Sequence, residues 1–285
     1  MTKVKPRTLN RLACACTLVG LFSSAQALAG AWTLEENKAY HKIAANFFTA
    51  DDTFGTGAEG FEEFTDYTVN YYGEYGLTDR VTLISQVPVR RSENTTTGES
   101  VDNFGVGDID IGLRYKLLDA NKWVLSSQFL YKAPFLYDED DDLPLGNGQS
   151  DLEVRLQAGR SLYPYGYIGL EVGYRFRFEE PSDEFRYLVE YGFDLNEKVY
   201  LRSKLDVIRA IDSTDVEIDL TGSPFFPSAF DLGRVEASVG YKLNPRSSIE
   251  FTFTESLFGE NILDCLLYTS PSPRDQRGSR MPSSA

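Results

Sequence analysis

The sequence is short of the residues that most often carry chemistry. In 285 residues it has one histidine, two methionines, two tryptophans and three cysteines. A single histidine rules out a His-rich zinc site and allows one His-based catalytic unit at most. Basic residues are also scarce: 28 Lys and Arg stand against 43 Asp and Glu, a net charge of −15. Nucleic-acid binding needs a basic surface that displaces phosphate counterions, so that class is excluded. No apolar run reaches the roughly 18 residues of a membrane-crossing helix, which excludes a helical membrane bundle. What is present is 42% hydrophobic, 25% charged and 13% aromatic, the composition of a chain that folds.

Both ends stand apart from the rest. Lys3, Lys5, Arg7 and Arg11 precede a short apolar core, Leu12 to Phe22, and Ala27-Leu28-Ala29 forms a small-x-small cleavage site. This pattern predicts a secretory signal peptide over 1–29 and a mature start at Gly30. At the other end, Cys265 to Ala285 has no strand or helix period. Back-translated, it fits the successive parts of a sequencing adapter, so 265–285 is expected to be a non-native tail. Removing the four basic residues of the leader, and three basic and one acidic of the tail, leaves 21 basic and 42 acidic residues, net −21. All three cysteines fall outside Gly30–Asp264, so the remainder holds no Cys-based metal or nucleophile site.

The middle is dominated by a period of two. Ile109, Ile111, Leu113, Tyr115 and Leu117 alternate with Asp108, Asp110, Gly112, Arg114 and Lys116. Ile168 to Phe178 and Val235 to Leu243 repeat the pattern. Each such run is a strand with one apolar and one polar face. The pattern predicts eleven strands: 38–48, 62–77, 80–90, 104–117, 122–133, 150–161, 166–178, 184–194, 198–209, 232–243 and 247–257. Most exceed the usual length in soluble sheets and match a tilted strand that crosses a membrane.

The connections alternate. Residues 77–80, 118–121, 162–165, 195–197 and 244–246 are short turns rich in Asp, Asn and Pro. Residues 49–61, 91–103, 134–149, 179–183 and 210–231 are mostly long and acidic. Soluble sandwiches and barrels also alternate in polarity, but their loops need not alternate in length from end to end. The combination predicts an all-β, antiparallel, up-and-down transmembrane barrel over 30–264. Aromatics near strand ends (Tyr75, Trp123, Tyr131, Phe178, Phe185, Phe193) fit interfacial girdles. An open sheet of eleven strands would leave unmet backbone groups facing lipid, so a barrel of twelve is expected with its last strand missing here.

With the apolar face toward lipid, the polar face becomes the lumen. It is expected to carry Asp66, Glu74, Asp108, Asp110, Arg114, Glu153, Arg155, Glu171, Arg175, Arg177, Arg202, Lys204, Asp206, Arg234 and Glu236. Opposed acids and bases across a narrow lumen set up a transverse field that can orient small polar solutes. The same residues could instead pair and fill a closed barrel. His41 falls on the lipid-facing parity with Ile43, Ala45 and Phe47, and no Ser or Asp is marked as its partner. A lipid-modifying enzyme is therefore the weakest reading. Asp138 to Asp142 mimics the start of an EF-hand loop, but Leu143 and Gln149 stand where Gly and Glu belong. Gly105-Val106-Gly107 lies at a strand and opens no helix, so it is no nucleotide loop, and no cofactor is expected.

Several segments resemble a known family. Gly30-Ala31-Trp32, Gly105 to Tyr115, Ser150 to Leu156, Gly159-Arg160-Ser161 and Phe258-Gly259-Glu260-Asn261 are similar to the transporter-like barrels named for the "MetA-pathway of phenol degradation" and the XagA-like proteins. The resemblance implies a Gram-negative outer-membrane barrel, and a channel for aromatic or other small compounds. It supplies no site residues. On both grounds the expectation is a passive pore for small solutes, not an enzyme. Its expected surroundings are outer-membrane lipid, lipopolysaccharide and, during biogenesis, the barrel-assembly machinery. The alternative is a non-conducting structural barrel.

Overall fold

The computed structural model describes residues 30–54, 61–178, 182–212 and 229–269, with side chains to Asp264. The leader 1–29, the tail 270–285 and parts of three connections (55–60, 179–181, 213–228) lie outside the described residues. Thirteen strands are described: β1 Ala39–Phe54, β2 Phe61–Thr78, β3 Val81–Thr96, β4 Glu99–Val106, β5 Ile109–Ala120, β6 Trp123–Ala133, β7 Asp151–Ser161, β8 Tyr167–Arg177, β9 Glu184–Asp194, β10 Val199–Ala210, β11 Asp231–Asn244, β12 Ser247–Glu260 and β13 Ile262–Thr269. All pair antiparallel in one sheet that closes through β1–β13 and β2–β3. β4 and β5 share one position, so the wall has twelve staves.

The shared stave has a local cause. β3 pairs β5 over Val81–Gln86 and β4 over Val89–Thr96, leaving Val87 and Pro88 opposite Gly107-Asp108. Pro88 has no N–H to offer the ladder, and only its carbonyl is used, by Gly107 N at 3.0 Å. The connection expected over 91–103 is mostly strand. β3 and β4 run on as a hairpin closed at Thr97-Gly98, both with positive φ (51° and 80°). That is the turn whose twist matches two strands. Asn121-Lys122 closes β5–β6 the same way.

The seam differs from the expectation. The twelfth position is occupied, at about half length, by β13, which crosses the boundary expected at 264/265. Among the described residues it pairs β1 from Phe47 to Phe54 but β12 only at Thr254↔Tyr268. Below Phe47, β1 is paired only to β2 among the described residues.

The polarity is inside out. Arg114, Gln128, Gln157, Glu153 and Glu190 are among the most deeply buried side chains, while Tyr67, Val69, Ile111, Phe129, Val239, Phe251 and Phe253 are exposed. A soluble barrel buries its apolar face, so this wall is built to face lipid. Tyr75, Trp123, Phe178 and Phe185 are exposed near strand ends.

Candidate functional site in the barrel lumen

Near the long-loop end, the connection after β6 folds into the barrel. Leu143 packs with Phe48, Ala50, Phe64 and Leu263, beside Phe61. Leu145 lies over Gly105 and Gly107, where an added Cβ would stand 2.8 Å from Leu145 atoms. Asn103 Nδ2 donates to Leu143 O at 3.0 Å and Arg90 Nη1 to Leu145 O at 3.4 Å. Tyr137 OH donates to Asp108 Oδ1 at 2.5 Å and accepts from Gly148 N at 2.8 Å. Burial and the Asp108 carboxylate push the Tyr137 phenol above its ordinary range. This cap leaves Asp138, Asp140, Asp141 and Asp142 exposed. No group of three or more potential metal ligands occurs among the described residues.

At mid-depth, oppositely charged residues face each other across neighbouring strands. Glu153 and Arg175 are register partners, with Arg175 Nη2 at 2.7 Å from Glu153 Oε2. Arg186 Nη1 reaches the same oxygen at 3.2 Å, and Arg155 joins Glu153 to Glu171, the latter at 3.1 Å. Asp206 and Arg234 pair at 2.9 Å, and Lys204 and Glu236 at 2.5 Å. Lys132 lies 2.8 Å from Asp151 and 3.5 Å from Asp108. Asp110 sits in register between Gln86 and Lys132, among Arg175, Lys132 and Arg186. Opposed pairs of this kind stabilise a sheet face and hold each other's charge out of lipid.

Toward the short-turn end the lumen has two unlike sides. On the β9–β12 side, Arg202 reaches Glu250 at 2.9 Å, Glu190 at 3.4 Å and Glu236 at 3.9 Å. Tyr200 OH donates to Glu250 at 3.1 Å, and Lys42 of β1 reaches Glu250 at 2.9 Å across the seam. On the β3–β8 side the filling is main chain. The segment Gly30–Lys38, here the strap, enters the barrel with Ala31 and Leu34 buried. Arg114 Nη1 donates to Trp32 O at 3.0 Å, Ser126 Oγ donates to Ala31 O, and Leu34 N donates to Thr82 Oγ1 at 2.9 Å. The Trp32 ring fills the space over Gly159, where a Cβ would collide with it, and meets Tyr167 edge-on. Arg114 is wholly buried. It also reaches Glu74 at 3.1 Å and bonds Gln128 and Gln157.

All eleven residues on which the sequence reading centred lie on the polar side of the wall: Asp108, Asp110, Arg114, Glu153, Arg155, Glu171, Arg175, Arg202, Lys204, Arg234 and Glu236. They form several ion-paired clusters rather than one site. Asp108 belongs to the cap and Arg114 to the strap. Residues not singled out include Lys42, Lys132, Arg186, Glu190 and Glu250. Extending the period of two along β1, β6, β9 and β12 places each of them on the same face. His41 lies on the outer face, its Nδ1 2.8 Å from Tyr71 OH.

The fold and the lumen define a class: a twelve-stave membrane-spanning barrel with an apolar exterior and an ion-paired interior. No family model matches the chain, and no curated protein does. Among solved structures, that of the COG4313 outer membrane channel from Pseudomonas putida F1 superposes with a TM-score of 0.63. The match covers 84% of this chain and 95% of that one at 16% identity, a likeness of fold. A Salmonella typhi OmpF complex with daunomycin matches at TM-score 0.38 and 9% identity, over 82% of this chain and 96% of that one. That score is too low to bear on the argument.

Proposed function

We propose that the protein is a passive outer-membrane channel for small polar or charged solutes. The carrying observation is a set of buried lumen atoms with no protein hydrogen-bond partner: Arg186 Nε, Asn46 Oδ1, Asn70 Oδ1 and Thr254 Oγ1. Left dry, each such group costs about 1–3 kcal/mol, and a lumen that admits water satisfies them all. Their chemistry is that of cation, amide and hydroxyl, which suits hydrophilic solutes. The clusters around Glu153, Arg202 and Asp206 supply a transverse field along that path. The likeness of fold to a channel supports this reading. Kinship with the phenol-pathway and XagA-like barrels, a leader cleaved before Gly30, and lipopolysaccharide as the outer neighbour belong to the same proposal.

A non-conducting surface barrel is the second reading, favoured by the strap and the cap, which narrow both ends. Planar-bilayer recording and liposome swelling separate the two. Discrete conductance steps, with swelling in small sugars or amino acids, support the channel. Silence over a range of salts and voltages, from barrels that pass a heat-modifiability gel, overturns it.

A further inference from the structure

The strap is held through its main chain. Its hydrogen bonds come from Thr82, Arg114 and Ser126 on three different strands, and all three meet its main chain. Its foot is tied as well: Glu36 N donates to Asp79 Oδ1 at 3.0 Å, Thr33 Oγ1 to Asp79 O at 3.0 Å, and Asn37 N to Gly76 O at 2.8 Å. Its inner end is Gly30, which is buried. Glu171 Oε1 closes on the Gly30 α-carbon so tightly that a Cβ there would collide with it, and Gln157 Nε2 flanks the same point. Cleavage after Ala29 puts a free α-ammonium one bond from that α-carbon. A buried ammonium needs a charged partner, and a carboxylate is already in place.

We infer that the strap is a gate at the short-turn end of the lumen, latched by an ion pair between the mature α-ammonium of Gly30 and Glu171. Signal-peptide removal creates the latch, because an uncleaved leader has a neutral peptide nitrogen at this position. The ammonium shares Glu171 with Arg155, so the latch is tied into the mid-depth cluster. Trp32 is the bolt: its ring sits on Gly159, and withdrawing it clears the β3–β8 side of the lumen.

The gating part rests on the channel reading and the latch on leader cleavage before Gly30 alone, and the test keeps them apart. N-terminal sequencing of the purified full-length barrel should find Gly30 first, and any other start overturns the latch. In a Trp123→Phe background, Trp32 is the sole tryptophan and can be excited selectively. Acrylamide should quench it weakly in the parent and several-fold more strongly in Glu171→Gln, with partial rescue in Glu171→Asp. Equal quenching in parent and Glu171→Gln overturns the latch. Deleting residues 30–36 and, separately, Trp32→Ala should each raise single-channel conductance several-fold. Unchanged conductance in both, from folded barrels that do conduct, overturns the gate. If no variant conducts at all, the channel reading fails and the gate with it, while quenching still decides the latch.

Discussion

The two sides of the lumen near the short turns solve one problem differently. On the β9–β12 side, side chains fill the space, and Arg202 is held by three carboxylates. On the β3–β8 side, a peptide fills it, and the wall supplies small or neutral groups: Thr82, Ser126, Gln157 and Gly159. Arg114 and Glu171 are the exceptions, and both face the strap: Arg114 donates to the Trp32 carbonyl and Glu171 closes on Gly30. A barrel wall must satisfy every inward group. It can do so by pairing charges within itself or by leaving room for a segment of main chain. The first solution is fixed by the wall, whereas the second can be withdrawn.

The largest break in this contrast should come from Arg202→Ala. It leaves Glu190, Glu236 and Glu250 sharing the remaining cations, and removing one partner of a buried ion pair costs about 3–5 kcal/mol. The urea midpoint of the refolded barrel should fall accordingly, and reversal potentials should move toward cation preference. A midpoint within error of the parent would show that this side is held by something other than its ion pairs. Gly159→Val should act only on the other side. Overpacking costs about 1–3 kcal/mol, and it should be relieved by expelling Trp32, seen as stronger acrylamide quenching with the Arg202 side unaltered. Weak quenching in a folded Gly159→Val barrel would mean that the wall yields instead of the strap.

How much of this was legible depends on what kind of contact does the work. Strand faces follow from the period of two, so Glu153, Arg175, Arg202 and Glu236 could be placed inward from the sequence alone. Contacts made by main chain leave no such mark. Ala31 and Trp32 hold the lumen through their carbonyls, and no residue type announces a carbonyl. The trace that exists is Gly159, a glycine on the lumen parity of β7 among Glu153, Arg155 and Gln157. The cap was hidden in a similar way. Leu143 reads as a flaw in a calcium loop, yet Leu143 and Leu145 are the apolar pair that turns an acidic loop inward. The hairpin of β3 and β4 was missed because its polar alternation, Arg91 to Ser100, reads as loop until Thr97-Gly98 is recognised as a two-residue turn. The short closing strand β13 was missed because its residues show no alternation.

The cap tests whether the same contrast holds at the other end, where side chains and a loop meet. Tyr137→Phe removes a donor to Asp108 and an acceptor for Gly148 N, at a cost of about 1 kcal/mol. Because the folded phenol is raised above its ordinary value, the unfolded chain ionises first. The Tyr137 contribution is therefore complete below about pH 10 and is lost as the pH climbs toward the raised value. Urea midpoints taken from pH 8 to pH 11 should fall for the parent and fall less for Tyr137→Phe. Parallel curves would remove Tyr137 from the account.

The smallest effect belongs to His41, and its smallness carries information. The ring lies outside the wall against Tyr71, a stacked pair with centroids 6.0 Å apart, in contact with neither the strap nor an acid–serine partner. An exposed side chain away from packing or caps changes stability by less than about 0.5 kcal/mol when truncated. His41→Ala should therefore leave the urea midpoint, Trp32 quenching and single-channel conductance at parental values. If conductance or quenching shifts, the outer face is coupled to the lumen and the separation between wall and contents fails. Unchanged values confine control of the pore to residues on the inner parity, where the ion-paired and the strap-filled sides meet.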